Sequence, residues 1–462
     1  MAEPEFSALT ILTEFFSAAH IEASARRTGF VRRASKITGK LFVALITVGQ
    51  WSTAKTSLAQ LAAKAAQLCK PVDVSPEAIH QRMNRRALAF LQDLIQTAFA
   101  KLHTGDTVCE EGLFTPFPRV HIADSTGFGL PDSLKDHFPG AGGSAGQAGA
   151  KIQLVWDYKS STFAHFALTP WNIPDNKYVD TVVSLARRGS LVLFDLGYFK
   201  LHAFAYLAAA QAYFLSRLNH QTTLLEARAG RLSRLEVAQV LRTESRPLLE
   251  KAIYLGAHER VAARLIAARV PAAVVNERRR KARASARKRG YTPSQSHLIL
   301  LAWNLFITNV PGTVWAPATV CKAYSLRWQV ELIFKSWKSY LQLATLPTKT
   351  ANSTLCYLYG RLLLILLIYG LCPSLRVQLW TKKRRELSEL KLVRHLQAFA
   401  DRWLQMLFEP ATALCSFLHR ACTTAERLVA KASRKRRTSA QRLHESLHTQ
   451  NDFIEFTMAL AA

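Results

Sequence analysis

Cysteine is scarce in this chain of 462 residues. There are seven (Cys69, Cys109, Cys321, Cys356, Cys372, Cys415 and Cys422), scattered and never in a C-x2-C pair. Neither a zinc module nor a disulfide framework is signalled, and a reducing compartment fits such usage. No G-x4-G-K-[ST] loop occurs, so no cradle for a nucleoside triphosphate is marked. The opening MAEPEFSALT has neither the basic stretch nor the long apolar run of a secretory signal, and none is expected. Long apolar runs are short supply too. The best one, Leu355 to Leu371, carries Arg361 inside it. A membrane span needs about 20 predominantly apolar residues, and a cation at mid-span is costly. A buried core helix is the expectation. Acids are the last shortage: 32 Asp+Glu stand against 61 Lys+Arg, a net charge of +29.

A chain this basic needs an anionic partner or repels itself. The large candidates are nucleic acid and an anionic membrane. With 49% hydrophobic and only 20% charged residues, the chain is not a disordered basic tail. Its length suggests about three modules. Residues 1–112 read as helical, with Ser57 a plausible N-cap and Ser75-Pro76-Glu77 a stronger start signal. Two readings stand for this region, a helix-turn-helix-like module and an ordinary helical bundle with basic decoration. From about residue 115 the texture turns to strands: Val120 to Asp124, Ile152 to Trp156, Thr162 to Leu168, Leu191 to Phe194 and Tyr213 to Leu218. Helices are expected over Pro174–Arg188 and Lys200–Ala212. That order suits a mixed α/β layer. Residues 220–295 read as an insertion with a basic surface, since Glu259 to Arg289 holds eleven Lys/Arg and two acids. Leu298 to Asn309 looks like strand again, 316–343 like one long helix, and the rest is helical.

The most informative segment runs from Tyr324 to Lys338. At about 100° per residue, Tyr324, Arg327, Glu331 and Lys338 fall near 0°, 300°, 340° and 320° on a helix wheel. They share one face, while Leu326, Val330, Ile333 and Trp337 take the other. Alone, this is an amphipathic helix with a salt-bridged polar face. Two distant acids add to it. Asp124 ends one expected strand and is followed by Ser125-Thr126; Asp195 ends another and is followed by Leu196-Gly197-Tyr198-Phe199. Acids at strand ends of an α/β sheet point into the crevice where ligands bind. With Glu331 they make an oxygen-ligand set for hard divalent cations.

Asp124-Ser-Thr, Asp195-Leu-Gly-Tyr-Phe and the Y-x2-R-x3-E-x6-K helix resemble the DDE transposases of bacterial insertion sequences, in the group named after insertion sequence four. The resemblance covers roughly residues 30–370. It implies an α/β fold: a ribonuclease H-like mixed-sheet catalytic core with a β-rich insertion, flanked by N-terminal and C-terminal helical domains. The segments would be 1–112 for DNA binding, 113–219 and 296–345 for the core, 220–295 for the basic β-rich insertion, and 346–462 for dimerisation. It implies that Asp124, Asp195 and Glu331 are catalytic and ligate two Mg²⁺ ions, with Mn²⁺ able to substitute. It implies that Tyr324, Arg327 and Lys338 hold DNA phosphates, and that Trp303 stacks a flipped base. Trp303 reads equally as a core aromatic. The implied partners are the transposon ends, target DNA and a second copy in a synaptic homodimer, with no membrane and no nucleotide cofactor. The implied location is the bacterial cytoplasm, at the nucleoid. The competing reading is a catalytically inactive DNA-binding protein or repressor on the same scaffold.

Three lesser features complete the inventory. Arg217, on an expected strand, would face DNA or pair with an acid. His444-Glu445-Ser-Leu-His448 matches the H-E-x2-H zinc pattern but sits in a polar tail with no protease core around it. Arg434-Lys-Arg-Arg437 is a DNA contact or a solvated tail.

Overall fold

Local capping chemistry starts several helices where the sequence places it. Ser57 and Gln60 form a reciprocal capping box: the Ser57 hydroxyl accepts from Gln60 N at 3.1 Å and Gln60 Oε1 accepts from Ser57 N at 2.8 Å. Ser75 Oγ accepts from Ala78 N at 3.1 Å, with Pro76 at the first helical position. The computed structural model describes residues 7–52, 56–68, 70–103, 112–142, 146–346 and 350–431. Arg434–Arg437 and the His444–His448 motif lie outside the described residues.

In chain order the helices are α1 (Ser7–Phe15), α2 (Ala18–Arg27), α3 (Gly39–Ala44), α4 (Leu58–Ala66), α5 (Pro76–Arg82), α6 (Arg85–Leu102), α7 (Val179–Ser184), α8 (Leu201–Ala209), α9 (Val237–Thr243), α10 (Ala272–Lys288), α11 (Gln295–Leu300), α12 (Pro317–Tyr324), α13 (Trp328–Ser339), α14 (Ala351–Tyr369), α15 (Cys372–Lys383), α16 (Glu389–Gln397), α17 (Ala400–Met406) and α18 (Ala411–Leu428). The strands are β1 (Val120–Leu130), β2 (Ala148–Asp157), β3 (Thr162–Pro170), β4 (Leu191–Phe194), β5 (Tyr213–Arg217), β6 (Leu224–Arg228), β7 (Arg231–Arg234), β8 (Leu248–Leu255), β9 (Val261–Arg269) and β10 (Trp303–Thr308).

The chain forms two compact units, and it crosses between them inside β1, at 124/125, and inside α13, at 329/330. Unit I takes the described residues up to 103, with 125–173 and 330–431. Unit II takes 112–124 and 174–329. In unit II the sheet order is β1-β4-β5-β10-β9-β8-β6-β7. β1, β4 and β5 run parallel, and the strands from β5 onward pair antiparallel. In unit I the order is β3-β2-β1, with β2 and β3 an antiparallel pair around the turn before Thr162. This is a mixed α/β architecture with flanking helices, as expected. The parallel centre is dry: Ile122, Ala123 and all four residues of β4 are 0% exposed. The insertion strands β6 to β9 extend that sheet, because β9 pairs along the whole of β10.

Unit I is built on α14. This helix is long and apolar enough to cross a membrane, yet 94% of its most apolar window is buried inside the protein. Gly360 sits where α14 passes closest to the wide turn Leu45–Gly49, and a Cβ there would overlap Ile46 O. Arg361 is 5% exposed. It donates to the carbonyls of Gln342 and Thr345 and to Gln50 Oε1. Its guanidinium is satisfied by oxygen dipoles, although burial lowers its pKa to about 10.

Three expectations about elements need correction. The helix expected over Pro174–Arg188 is a 3₁₀ turn, Asp175–Tyr178, followed by the short α7; a turn and the left-handed Gly189 (φ +77°) take up the remainder. Leu298–Asn309 is not all strand, because Ser294 caps α11 through His297 N and β10 begins only at Trp303. The single helix expected over 316–343 is two, α12 and α13, joined by a 3₁₀ turn at Ser325–Arg327. In addition, the most basic part of the insertion is helix α10, since Ala, Arg and Lys are strong helix formers.

Candidate catalytic site

Strand register builds the site in unit II. β1 and β4 pair parallel with Ala123 opposite Phe194. The next residue after each is an acid, so Asp124 and Asp195 stand on neighbouring strands one strand spacing (about 4.8 Å) apart. The expectation that Asp124 ends its strand is corrected here, because β1 runs on to Leu130 and only Asp195 follows a strand end. Asp195 has extended backbone (φ −76°, ψ 159°) and opens the 3₁₀ turn Leu196–Tyr198, its carbonyl accepting from Tyr198 N at 3.0 Å. Both carboxylates are met by one guanidinium. Arg327 Nη1 donates to Asp124 Oδ2 at 2.9 Å, and Arg327 Nε stands 3.6 Å from Asp195 Oδ1. The Asp124 and Arg327 side chains are 14% and 15% exposed, against 40% for Asp195. The 3₁₀ turn that breaks the expected helix carries Arg327 at its end.

Tyr324 lies behind the acids. It is 5% exposed, its ring packs 5.1 Å from that of Phe306, and its hydroxyl donates to Phe194 O at 3.3 Å. Burial pushes its pKa up to about 12, with Arg327 opposing. The ring packs against Phe306 of β10, and its hydroxyl is used on the carbonyl just before Asp195. Leu326, Val330, Ile333 and Trp337, the apolar stripe, are all at most 1% exposed. Glu331 occupies the first turn of α13 and is half-buried; Lys338, in its last turn, is exposed. Both belong to unit I.

Trp303 opens β10 opposite Arg269 and is 4% exposed. The Arg269 guanidinium lies over its ring at 4.6 Å. Trp303 also lines a cavity of about 350 Å³, whose wall includes Arg217, His220, Arg278, Lys281 and His297. Arg278 Nη2 donates to Asn304 Oδ1 at 2.8 Å, which fixes α10 against β10. His220 and His297 face each other with ring centroids 5.5 Å apart. Sequence reasoning missed this cavity, because its residues are brought together only by the fold. It also passed over Trp328, which is 57% exposed beside Arg327. Four residues beyond Tyr324, Trp328 falls near 40° on the helix wheel, on the polar face, and that misplaced indole was the available signal.

Two carboxylates converging on one cation are the hard-oxygen chemistry that suits Mg²⁺ or Mn²⁺. Among the described residues, no group of three His, Cys, Asp or Glu side chains stands close enough to hold a metal. What unit II brings together here is the acid pair Asp124 and Asp195 with the Arg327 guanidinium between them.

Two acids on neighbouring strands around one guanidinium, in a mixed sheet of a strongly basic chain, suit an enzyme that works on phosphodiesters. The family model described as the transposase DDE domain matches residues 115–367, more than half of the 462. The chain belongs to that family and is a DDE-type transposase, an enzyme class that depends on divalent metal. It is 29% identical over 396 residues to the transposase of insertion sequence element IS231B from Bacillus thuringiensis subsp. berliner, covering 82% of each chain. It is 27% identical over 397 residues to that of IS1151 from Clostridium perfringens, covering 82% of this chain and 83% of the relative. A piggyBac transposase synaptic complex with hairpin DNA, solved by cryo-EM, aligns with a TM-score of 0.46 at 10% identity, over 94% of this chain and 87% of that one.

Proposed function

We propose that this transposase binds the terminal inverted repeats of its own insertion sequence, cuts DNA by Mg²⁺-dependent hydrolysis and joins it by transesterification. The observation that carries the reading is the parallel register of β1 and β4, which sets Asp124 and Asp195 side by side around one cationic centre. With Glu331 from α13 they are the ligands for two Mg²⁺ ions. When bound, such a pair lowers the pKa of an attacking water or 3′-hydroxyl and offsets charge on the leaving oxygen. Exchange of one phosphodiester for another needs no nucleoside triphosphate.

The chain's other residues orient the DNA. Arg327 presents a planar fork and Lys338 a point charge, both suited to phosphate oxygens. Tyr324 serves the same contact from behind, holding the β4 end through Phe194 O. Trp303 stacks a base drawn into its cavity, and Trp328 offers a second, exposed aromatic face; such stacking contributes about 1–3 kcal/mol per base. The helices of residues 1–112 and the cations of α10 bind flanking duplex, and two copies synapse two ends through the C-terminal helices. The protein works in the bacterial cytoplasm, at the nucleoid.

The test uses the full chain and DNA carrying the inverted repeats that flank the coding region. Asp124→Asn and Glu331→Gln should abolish Mg²⁺-dependent nicking and leave the DNA mobility shift intact. Nicking that survives both substitutions refutes the site. A wild-type chain that shifts DNA but never nicks it, with Mg²⁺ or Mn²⁺, supports the repressor reading instead.

A further inference from the structure

Arg327 occupies an unusual position for a residue expected to contact DNA. Its Nη1 and Nε reach different carboxylates, Asp124 at 2.9 Å and Asp195 at 3.6 Å, so the guanidinium bridges the two instead of clasping either one. Its side chain is only 15% exposed. Two carboxylates one strand spacing apart repel unless a cation lies between them, and this chain supplies that cation itself. A divalent ion drawing oxygens from both acids needs ligand distances near 2.0–2.1 Å for Mg²⁺, which is the space the guanidinium fills. A +2 ion and a +1 guanidinium do not share that space, since each would repel the other at contact distance.

We propose that Arg327 is the resting-state counter-ion of the metal site. Its guanidinium keeps Asp124 and Asp195 in register until a divalent cation displaces it, and the displacement frees it to meet a DNA phosphate. This rests on the reading of Asp124 and Asp195 as metal ligands. Arg327 then has two successive partners of the same kind, carboxylate oxygen and phosphate oxygen, and a planar fork suits both. The 3₁₀ turn Ser325–Arg327 places the side chain at a joint between two helices, not within a continuous one. Metal loading and phosphate capture become one linked event, so that the cation needed for chemistry also releases the residue needed to hold the substrate.

The linkage makes the wild-type chain bind metal more weakly than its carboxylates would allow. Mn²⁺ titrations of the full-length chain, without DNA, read this directly by electron paramagnetic resonance or calorimetry. Arg327→Gln is expected to bind Mn²⁺ about tenfold tighter than wild type, equivalent to about 1.4 kcal/mol, and to be less stable than wild type when metal-free. Arg327→Lys, which keeps the charge, is expected to move back toward the wild-type affinity. If Arg327→Gln binds Mn²⁺ no tighter while Asp124→Asn has lost binding, the counter-ion role is overturned and the metal site stands. If Asp124→Asn and Asp195→Asn both bind Mn²⁺ like wild type, the metal-site reading itself fails. Should Arg327→Gln not fold, the wild-type chain carries the test. Mn²⁺ should raise phenylglyoxal modification of Arg327, read by peptide mass spectrometry, and unchanged modification overturns the proposal.

Discussion

His103 makes the stability of unit I sensitive to mild acid. The ring is 6% exposed and lies flat against Phe163, with centroids 4.7 Å apart and planes 3° from parallel. Phe163 N donates to Nδ1 at 3.2 Å, so the ring proton sits on Nε2, which donates to Leu366 O at 3.1 Å. One imidazole thus ties β3 to α14 as an acceptor on one side and a donor on the other, and only the neutral ring can do both. Burial lowers its pKa from 6.5 to about 4, with the Leu366 carbonyl opposing. The sign follows from linkage. As pH falls through 6.5 the unfolded chain takes up the proton, while the folded chain resists until about 4, so stability is lost across that window. The loss is about 2 kcal/mol between pH 7.5 and 5.0 and about 3 kcal/mol by pH 4. Urea unfolding at pH 7.5 and 5.0 measures it. His103→Phe keeps the ring stack but cannot titrate. It should be weaker than wild type at pH 7.5 by about 1–3 kcal/mol for each buried group left unpaired, and it should lack the 2 kcal/mol acid component. Equal pH responses in the two proteins would refute the assignment.

The other predictions address packing, the acid pair and DNA. Gly360→Ala should destabilise by about 2 kcal/mol in thermal or urea melts: helix propensity favours alanine by about 1 kcal/mol, but overlap with Ile46 O costs more. Gly129→Ala, where a Cβ meets nothing within 4 Å, is the matched control and should be nearly neutral. Tyr324→Phe removes one hydrogen bond, worth about 1 kcal/mol of stability, and should slow cleavage through the loosened β4 end while the DNA mobility shift stays unchanged. Replacing the exposed Arg283, Arg287 and Lys288 of α10 by Gln should weaken DNA binding and reduce the salt slope by about 2.7 (three contacts at about 0.9 each); an unchanged slope removes α10 from the interface.

What the sequence made legible was local or periodic. β4 was read to the residue, because Leu191-Val-Leu-Phe is a short apolar run closed by an acid. The apolar stripe of Leu326, Val330, Ile333 and Trp337 was equally plain, and the core burial of α14 followed from its length and its arginine. The register that sets Asp124 beside Asp195 was not legible, since nothing local says which strands pair. The helix wheel also assumed an unbroken helix. A 3₁₀ turn at Ser325–Arg327 changes the pitch just before Glu331, so the wheel grouped Tyr324 with the polar residues although its ring is buried. The cavity beside Trp303 draws on β5, α10, α11 and β10, and sequence separation hid it. The basic insertion was recognisable as a composition shift. Its composition did not reveal that the most basic part is a helix fastened to the sheet by Arg278.

That detail alters how the charge of +29 should be understood. Several arginines are not surface charges facing a polynucleotide. Arg278 and Arg279 bond Asn304 and the Leu298 carbonyl, Arg361 bonds three oxygens inside unit I, and Arg376 bonds the Tyr158 carbonyl and Ser161. Each fastens two distant segments where a lysine could not, because a guanidinium spreads its charge over a rigid fork and sheds water more readily. Arg327 is the same device applied to carboxylates instead of carbonyls. A basic composition therefore serves two purposes that a net charge cannot separate. The exposed cations of α10 are the ones we propose supply a field that reaches DNA, and such a field weakens with salt. The inward arginines supply fixed bonds that salt hardly screens. DNA affinity should consequently fall with ionic strength far faster than fold stability does, and the acid pair should stay bridged by Arg327 at salt concentrations that already release DNA.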